Sequence, residues 1–499
     1  MIKRAIVIGA GFSGLAAAAS LAKKGFQVKV LEKHNMAGGR ARKFETNGFM
    51  FDMGPSWYWM PDVFDKFFES FGRKTSDYYD LKRLDPSYRV FWSENDHTDL
   101  PVEEDQMKDL FESIESGAGE NLDAFMQDAK FKYDIGMSDL VYRPSYSALE
   151  FAELKIAANA LKLQIFRSFD KHIKKYFKSR KLLQLMEFPI LFLGGTAKNT
   201  PALYSLMNYA DAKLGTWYPM GGMYKIIEGM QKLAEEQGVE FLFNQDVQNI
   251  EIQGGLVHHV KTQDSIYDAD FVVSGADYHH TEDQLLDADS RNYNEKYWEN
   301  KQMSPSSLIF YLGVNKRLSN LQHHNLFFDE DFATHAHQIY KNPQWPDKPS
   351  FYICAPSKTD PAVAPRDHEN LFVLMPVAAG LEDKDETREK YFELFLERFE
   401  KLTGQSIRAN IIYKRSYAHR DFQNDYNAYK GNAYGLANTL MQTAFMKPGL
   451  KNKKVKNLFY TGQLTVPGPG VPPAIISGQI VASEIAKQAG MLNKTKEAL

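Results

Sequence analysis

Gly9, Gly11 and Gly14 in the stretch RAIVIGAGFSG, with Glu32 standing 18 residues after Gly14, have the types and spacing to hold a dinucleotide. The first glycine permits a tight turn, the second lets backbone approach a pyrophosphate, and the third lets a helix pack closely on a strand. An acid at the end of the next strand binds ribose hydroxyls, so adenosine without a 2′-phosphate is expected. Gly38, Gly39 and Arg40 follow, and then Asp52, Gly54 and Pro55. A nicotinamide-dependent dehydrogenase does not usually need this second glycine loop. A third cluster, Gly462 and residues 468–473 of TGQLTVPGPGVPPAIISGQIVASEIAK, sets glycines and prolines before a run of small residues. Backbone N–H groups at such a helix start can face an anionic or carbonyl-rich group.

The elements that must position these residues are legible around them. RAIVI reads as a short buried strand, LAAAASLAKKG as a helix ending at Gly25, and FQVKVLEK as a second strand. A lone GxGxxG is weak evidence, but here it follows a strand, opens a helix and precedes an acid at a strand end. Near the other terminus LFYT reads as a buried strand, GQLTVPGPGVPP as a loop and AIISGQIVASEIAK as a helix. Between them, GVEFLFNQDVQNIEIQGGLVHHVKTQDSIYDADFVVSGAD reads as strands with turns at Gly254–Gly255.

The GGR and FDxGP patterns resemble those of the large flavoprotein family that contains amine oxidases and carotenoid desaturases. Taken end to end, from about residue 4 to 487, the chain is similar to its carotenoid-forming branch, the bacterial-type phytoene desaturases. GAGFSGL, GGRA, FDMGP, WYPMGGM, ADFVVSGAD and TGQ…PGPGVP lie in that family's order. Gln463 departs from it, since relatives more often carry a small residue there. The resemblance implies an α/β fold: a Rossmann-like FAD-binding domain, a mixed α+β substrate domain and a helical insertion. The FAD-binding domain is expected to be discontinuous, over 1–90, 215–285 and 440–499. Residues 100–215 form the helical, membrane-facing insertion and 290–440 the substrate-binding domain.

The resemblance also implies FAD as cofactor and a cofactor-binding set of Gly9, Gly11, Ser13, Gly14, Glu32, Lys33, Gly39, Arg40, Gly54, Pro55, Val247, Gly462, Gly470, Val471 and Pro472. The GGR loop runs along the diphosphate with arginine as counter-charge, Val247 contacts adenine through its backbone, and the last loop and helix cover the ribityl and isoalloxazine portion. The implied reaction removes hydride from an allylic carbon to the flavin and a proton from the neighbouring carbon, taking phytoene towards lycopene. Glu153 and Lys155 in SALEFAELKIA are the nearest matches to acidic and basic residues discussed for catalysis in the family; a plain solvated helix is the other reading. Tyr429 and Asn427 in NAYKGNAYG match a stretch near the family's substrate side. The same framework serves carotenoid cis–trans isomerases, desaturases of already modified carotenoids, amine oxidases and prenyl-protein escort proteins. Glu32, Gly39–Arg40 and the C-terminal loop disfavour a flavin-free escort, and PGPGVPP differs from the usual amine oxidase pattern.

Trp57, Tyr58 and Trp59 in MGPSWYWMPDV crowd three large rings behind a glycine-proline turn, just before a helix with Val63, Phe64, Phe67, Phe68 and Phe71 on one face. Alone, such rings read as core. With the resemblance they read as the lining of a channel for a long apolar polyene, which offers dispersion contact and almost no polar handle. FRSFDKHIKKYFKSRK puts Phe166, Phe169, Ile173 and Tyr176 or Phe177 on one helical face, with Lys171, Lys174, Lys175 and Lys178 largely elsewhere. It reads either as a domain helix with a solvated lysine face or as a basic helix docked on a membrane. KPGLKNKKVKN at 447–457 is a second lysine-rich candidate.

The 499 residues carry a net charge of −3, which gives no reason to expect a nucleic-acid partner. Cys354 is the only cysteine, which rules out an intramolecular disulfide framework and a cysteine-rich metal cluster. The pairs His258–His259, His279–His280 and His323–His324 would point to opposite faces of a strand, and no HExxH or GxSxG pattern occurs, so no metal site is expected. No run of about 18 apolar residues appears. A cytoplasmic chain, peripherally associated with membrane, is the expectation.

Overall fold

In a computed structural model, which describes residues 2–138, 140–147, 150, 162–191, 194–439 and 441–490, the apolar run Ala5–Ile8 becomes the centre of a five-stranded parallel sheet. The order is Leu458–Tyr460, Phe271–Ser274, Arg4–Ile8, Gln27–Leu31, Glu240–Leu242. Strands far apart in sequence are thus neighbours, and the first and last strands belong to one sheet. Burial on both faces explains why these strands read as continuous apolar runs. The helix Phe12–Lys23 buries Ala16, Ala17, Ala18 and Ala19 completely. Its small residues allow Val471–Gln488 to lie directly against it: a Cβ at Gly478 would stand 2.7 Å from Ala17 N. An antiparallel three-stranded sheet, Val247–Gln253, Leu256–Thr262 and Ile266–Asp268, turns at Gly254–Gly255.

The second sheet has seven strands in the order Ile411–Tyr417, Ser306–Val314, Glu369–Val377, Phe351–Cys354, His324–Phe327, Tyr88–Ser93, Asp96–Leu100. All pairs are antiparallel except His324–Phe327 with Tyr88–Ser93. Tyr88–Ser93 straddles the boundary expected at residue 90, and the strand goes with this mixed sheet. One face packs on the helix Asp385–Thr403, where Phe327 stacks on Phe351 at 4.1 Å and Phe395 meets Phe351 edge-on at 5.6 Å. Each such buried ring contributes about 1.5–3 kcal/mol. Because side chains alternate along a strand, Ile309, Leu326, Tyr352 and Leu374 face the other way, and all four line a large cavity.

Helices dominate the insertion: Glu104–Ile114, Ala118–Ser138, Phe169–Ile173, Arg180–Leu191 and Leu206–Tyr209. The segment read as one basic amphipathic helix is broken. Phe169–Ile173 is one short helix and another starts at Arg180; Phe169, Ile173 and Phe177 are fully buried, and Phe166 is 88% exposed. Lys174 pairs with Asp170 at 2.6 Å. His172, which the pattern left among the polar positions, is fully buried beside Asp128 at 3.0 Å. No helix among the described residues is long and apolar enough to cross a membrane. Glu153 and Lys155 lie outside the described residues.

The second lysine run leaves Lys453, Lys454 and Lys456 exposed but is braced by its asparagines and buries its first lysine. Asn452 Oδ1 accepts from Lys454 N and Val455 N, both at 2.8 Å, and Asn457 bridges to Val257. Lys447 is 4% exposed, and its Nζ has no hydrogen-bond partner. Burial, with repulsion from Lys301, pushes this amine down to about 7 from 10.5. Between those values the unfolded chain holds a proton that the folded chain has released, so stability rises with pH across that window. Lys447→Met should abolish that rise, read as the melting temperature of both proteins at pH 7 and pH 9; equal slopes would refute the assignment.

Candidate functional site

The cradle begins at the first turn. Gly9 has φ +91°, and a Cβ at Gly14 would fall inside the contact distance of the Gly9 carbonyl oxygen. Glycine is therefore required at both positions. Gly11 caps the helix Phe12–Lys23 with no side-chain hydrogen bond. The first N–H groups of that helix are left to face the cavity that Gly11, Phe12 and Ser13 line. Glu32, 4% exposed, accepts from Ala10 N at 2.7 Å through Oε2 and from His34 N at 3.0 Å through Oε1. The carboxylate thus ties the turn, and each oxygen keeps a second acceptor site for a ribose hydroxyl. Beside it Gln245 N donates to Glu32 O at 2.8 Å, which sets Val247 at the same end of the cavity.

The second glycine loop lies on the first. Gly38 N donates to Ala10 O at 2.8 Å, and a Cβ at Gly39 (φ +53°) would stand 3.3 Å from Gly11 Cα. Gly54 packs against the Arg40 carbonyl and, with Pro55, borders the cavity. The FDMGP and WYPMGGM motifs also meet. Asp52 accepts from Met223 N at 2.8 Å and Tyr224 N at 2.9 Å, starting the helix Tyr224–Glu236, and burial lifts its carboxyl to about 6. From the far end of the chain, Gly462 N donates to Ser477 Oγ at 3.2 Å, and a Cβ at Gly462 would be 3.2 Å from Ser13 Oγ. Gly470, Val471 and Pro472 open the helix Val471–Gln488 onto the cavity, with no acid in its first turn.

Several partners escaped sequence reading. Asp277 caps the helix Tyr278–Gln284 and lines the cavity near Arg40, whose charge opposes the upward push of burial on the Asp277 carboxyl. Tyr426 lies 5.1 Å under the Arg40 guanidinium. Asn427 and Tyr429 contact residues near Arg40: Asn427 Nδ2 meets His280 Nε2 at 3.2 Å, and Tyr429 N donates to Asp277 at 3.2 Å. Lys33 borders the cavity, yet its Nζ donates to Asn424 O at 3.0 Å. Gln463 also borders the cavity. With its amide oxygen turned toward Arg40 it accepts from Nη2 at 3.0 Å and from Gly435 N at 3.2 Å.

These residues fit FAD. Arg40 carries a buried Nε with no partner, and burial depresses its pKa because no carboxylate pairs it directly. A buried cation without a direct ion pair is costly unless a ligand supplies the anion, and a bound diphosphate would supply it where two glycine loops and a helix N-terminus converge. Glu32→Gln keeps the shape but removes the charged acceptor. It should weaken FAD binding by about 10-fold or more, measured by titrating apoprotein against flavin fluorescence; an unchanged affinity would leave Glu32 only its role in the turn.

Beyond the glycines the same cavity, about 500 Å³, turns apolar. Trp57 and Trp59 line it with Phe188, Leu326, Phe328 and Ile339. Tyr58, expected in the channel with its neighbours, is not on that wall: its ring stacks on Phe64 at 4.3 Å and its hydroxyl meets Tyr79 OH at 2.9 Å. An extended segment sends alternate side chains to opposite faces, as the bridge from Tyr58 to Trp217 requires. His335 borders this part as a neutral ring, held down to about 4 by burial, with Nε2 against Pro376 O at 2.9 Å and Nδ1 accepting from Ser350 N at 3.2 Å. The expected divergence of adjacent histidines fails at His323–His324. His323 precedes the strand, and the two rings lie 4.5 Å apart.

The family model described as flavin containing amine oxidoreductase matches residues 12–486. The chain is 42% identical over 482 residues to a carotenoid 3,4-desaturase of Haloarcula japonica, covering 96% of this chain and 97% of that one. It is 32% identical over 487 residues to a zeta-carotene-forming phytoene desaturase of Myxococcus xanthus, covering 97% and 94%. Two solved structures share the fold. An oxidoreductase from Methanosarcina mazei has TM-score 0.63 at 18% identity, covering 96% of this chain and 100% of that one. A cyclohexylamine oxidase from Brevibacterium oxydans has TM-score 0.59 at 15% identity, covering 98% and 100%.

Proposed function

The chain belongs to the carotenoid desaturase branch of the flavin containing amine oxidoreductase family, and from that premise we propose that it desaturates a linear carotenoid precursor, taking phytoene towards lycopene. The observation that carries this reading is the continuity of one cavity from the glycine cradle to the tryptophan wall. Bound FAD supplies the two-electron acceptor for an allylic C–H. The chain's own residues do the rest by position. Gly11, Gly39 and Arg40 fix the diphosphate, Glu32 the ribose, and the start of Val471–Gln488 the far end of the cofactor. Trp57, Trp59, Phe188 and Phe328 hold an extended hydrocarbon by shape and exclude water. Among the described residues, the carboxylates on the cavity wall, Glu32, Asp246, Asp277 and Asp425, belong to the nucleotide end. The apolar part offers a polyene no ionised acid.

A second reading, a carotenoid that already carries a polar group, is favoured by one feature. Ser350 borders the cavity with a buried Oγ that has no partner, and the Haloarcula relative is named for desaturation at the 3,4 position. Incubating the FAD-loaded protein with phytoene, or with a hydroxylated acyclic carotenoid, in liposomes and separating products by chromatography decides between them. No more-conjugated product from either substrate would defeat both.

The substrate is delivered, on this reading, from lipid. Leu191 is 38% exposed and also lines the cavity, so an opening lies there. Phe166, 88% exposed, precedes a segment tied to the chain after Leu191, since Asp170 N donates to Ala197 O at 2.9 Å and Ala202 N to Arg167 O at 2.7 Å. Tyr204 OH bonds Thr443 Oγ1 at 3.2 Å, which ties the loop carrying the exposed Met441 and Phe445 to the segment that follows Ala202. Phe166→Asp with Met441→Asp should cut the fraction sedimenting with anionic liposomes at least about threefold; unchanged binding would remove this surface.

A further inference from the structure

Behind the tryptophan wall, and apart from the nucleotide cradle, His323, His324 and Cys354 come together. The antiparallel pairing of His324–Phe327 with Phe351–Cys354 sets His324 directly opposite Cys354. Ala355 N donates to His323 O at 2.8 Å, which holds His323 at the open end of the same ladder. One ring nitrogen from each histidine and the Cys354 sulfur lie within 4.8 Å of one another, and the three residues are 4%, 0% and 3% exposed.

The hydrogen bonds around the cluster select one nitrogen on each ring. His323 Nδ1 is 2.7 Å from Thr359 Oγ1 and His324 Nδ1 is 2.6 Å from Tyr352 OH. Both Nε2 atoms are buried with no partner. With Nδ1–H given to a hydroxyl, each ring keeps its Nε2 lone pair free, as in metal-binding histidines steadied by an outer hydrogen bond. Trp57 stacks on His324 at 4.0 Å and 12°, which fixes that ring's plane. A separate cavity of about 20 Å³, bordered by Cys354, Tyr218, Asp52 and Ser56, is large enough for one water. The Tyr218 hydroxyl is itself buried without a partner.

We propose that His323 Nε2, His324 Nε2 and Cys354 Sγ bind one thiophilic divalent cation, zinc in the first instance, with a water from the small cavity as fourth ligand. Tetrahedral zinc with bonds near 2.0–2.3 Å requires ligand atoms about 3.3–3.6 Å apart, so atoms now within 4.8 Å of one another must close by up to roughly 1.5 Å. Both imidazoles enter neutral, and binding proceeds with loss of the thiol proton to solvent, leaving a zinc–thiolate bond. The cation would lock the strand pair on which Trp57 rests, making metal content a determinant of the channel wall.

The test uses the FAD-loaded protein, incubated with excess zinc chloride and gel-filtered, with zinc per chain measured by plasma mass spectrometry. About one equivalent is expected, falling at least tenfold in Cys354→Ser and in His324→Asn while flavin content holds. Less than a tenth of an equivalent in wild type, or zinc retained in both variants, would overturn the site. Should the variants lose flavin, cobalt(II) added to wild type decides. Intense d–d bands to the red of flavin absorption mark a four-coordinate site, and a weak six-coordinate spectrum refutes it.

Discussion

Gly14→Ala is expected to yield a chain that no longer retains flavin, with FAD affinity lowered by at least about 100-fold. The added Cβ would overlap the Gly9 carbonyl oxygen and stand 3.2 Å from the Gly9 carbonyl carbon. Both atoms belong to the turn that Gly275 N secures from below by donating to Ile8 O at 2.8 Å. The turn has nowhere to retreat. Either the helix Phe12–Lys23 tilts away from the strand Arg4–Ile8, or Gly9 leaves φ +91°. In both cases the N–H groups proposed to meet the diphosphate would lose their convergence. The ratio of visible flavin absorbance to protein absorbance after gel filtration reports the outcome. A yellow, stoichiometric variant would show that this cradle does not hold the cofactor.

Ala336→Trp should give the opposite dissociation: normal flavin content with desaturation lost by about 100-fold or more. Ala336 lies on the cavity wall in the helix Phe332–Tyr340, on the same wall as Phe328 and Ile339. An indole projected there fills space that the polyene must occupy. The nucleotide end is untouched, since Gly11, Glu32 and Arg40 belong to other elements. Flavin absorbance and melting temperature serve as controls for overpacking. Wild-type turnover in a well-folded variant would place the substrate elsewhere.

The cradle was legible because its chemistry depends on residue types that cannot be exchanged. Only glycine fits at 9, 14 and 54, and an acid at the end of the second strand has few other reasons to be buried. The partners that complete it were not legible because they come from distant segments. Nothing in the sequence ties Asp277 or Tyr426 to Arg40. The parallel sheet followed from apolar runs, whereas Tyr88–Ser93 joined the mixed sheet through a pairing with His324–Phe327 that no local pattern announces. Tyr58 was recoverable in principle, since period-two alternation through Trp57–Trp59 sends the middle ring away from its neighbours. Charge patterns informed unevenly. Over 166–178 Lys171, Lys174, Lys175 and Lys178 are exposed while Phe169, Ile173 and Phe177 are buried, as a packed apolar face with solvated lysines requires, although the helix is broken. Lys447, in a run that reads as surface, is buried. His323–His324 was judged by strand geometry, although His323 lies just before the strand.

The helix Val471–Gln488 rests on Phe12–Lys23, and Leu458–Tyr460 completes the sheet that Arg4–Ile8 centres. During synthesis the amino-terminal turn therefore waits for residues more than 440 positions later. At about 5–20 residues per second this delay is roughly 20–90 s. The face of the alanine-rich helix that Val471–Gln488 covers stays exposed throughout that interval, so a holdase or early lipid contact would matter more for this protein than for one whose nucleotide fold is contiguous. A ribosome-bound chain stalled before residue 458 should take up no flavin, however much is supplied.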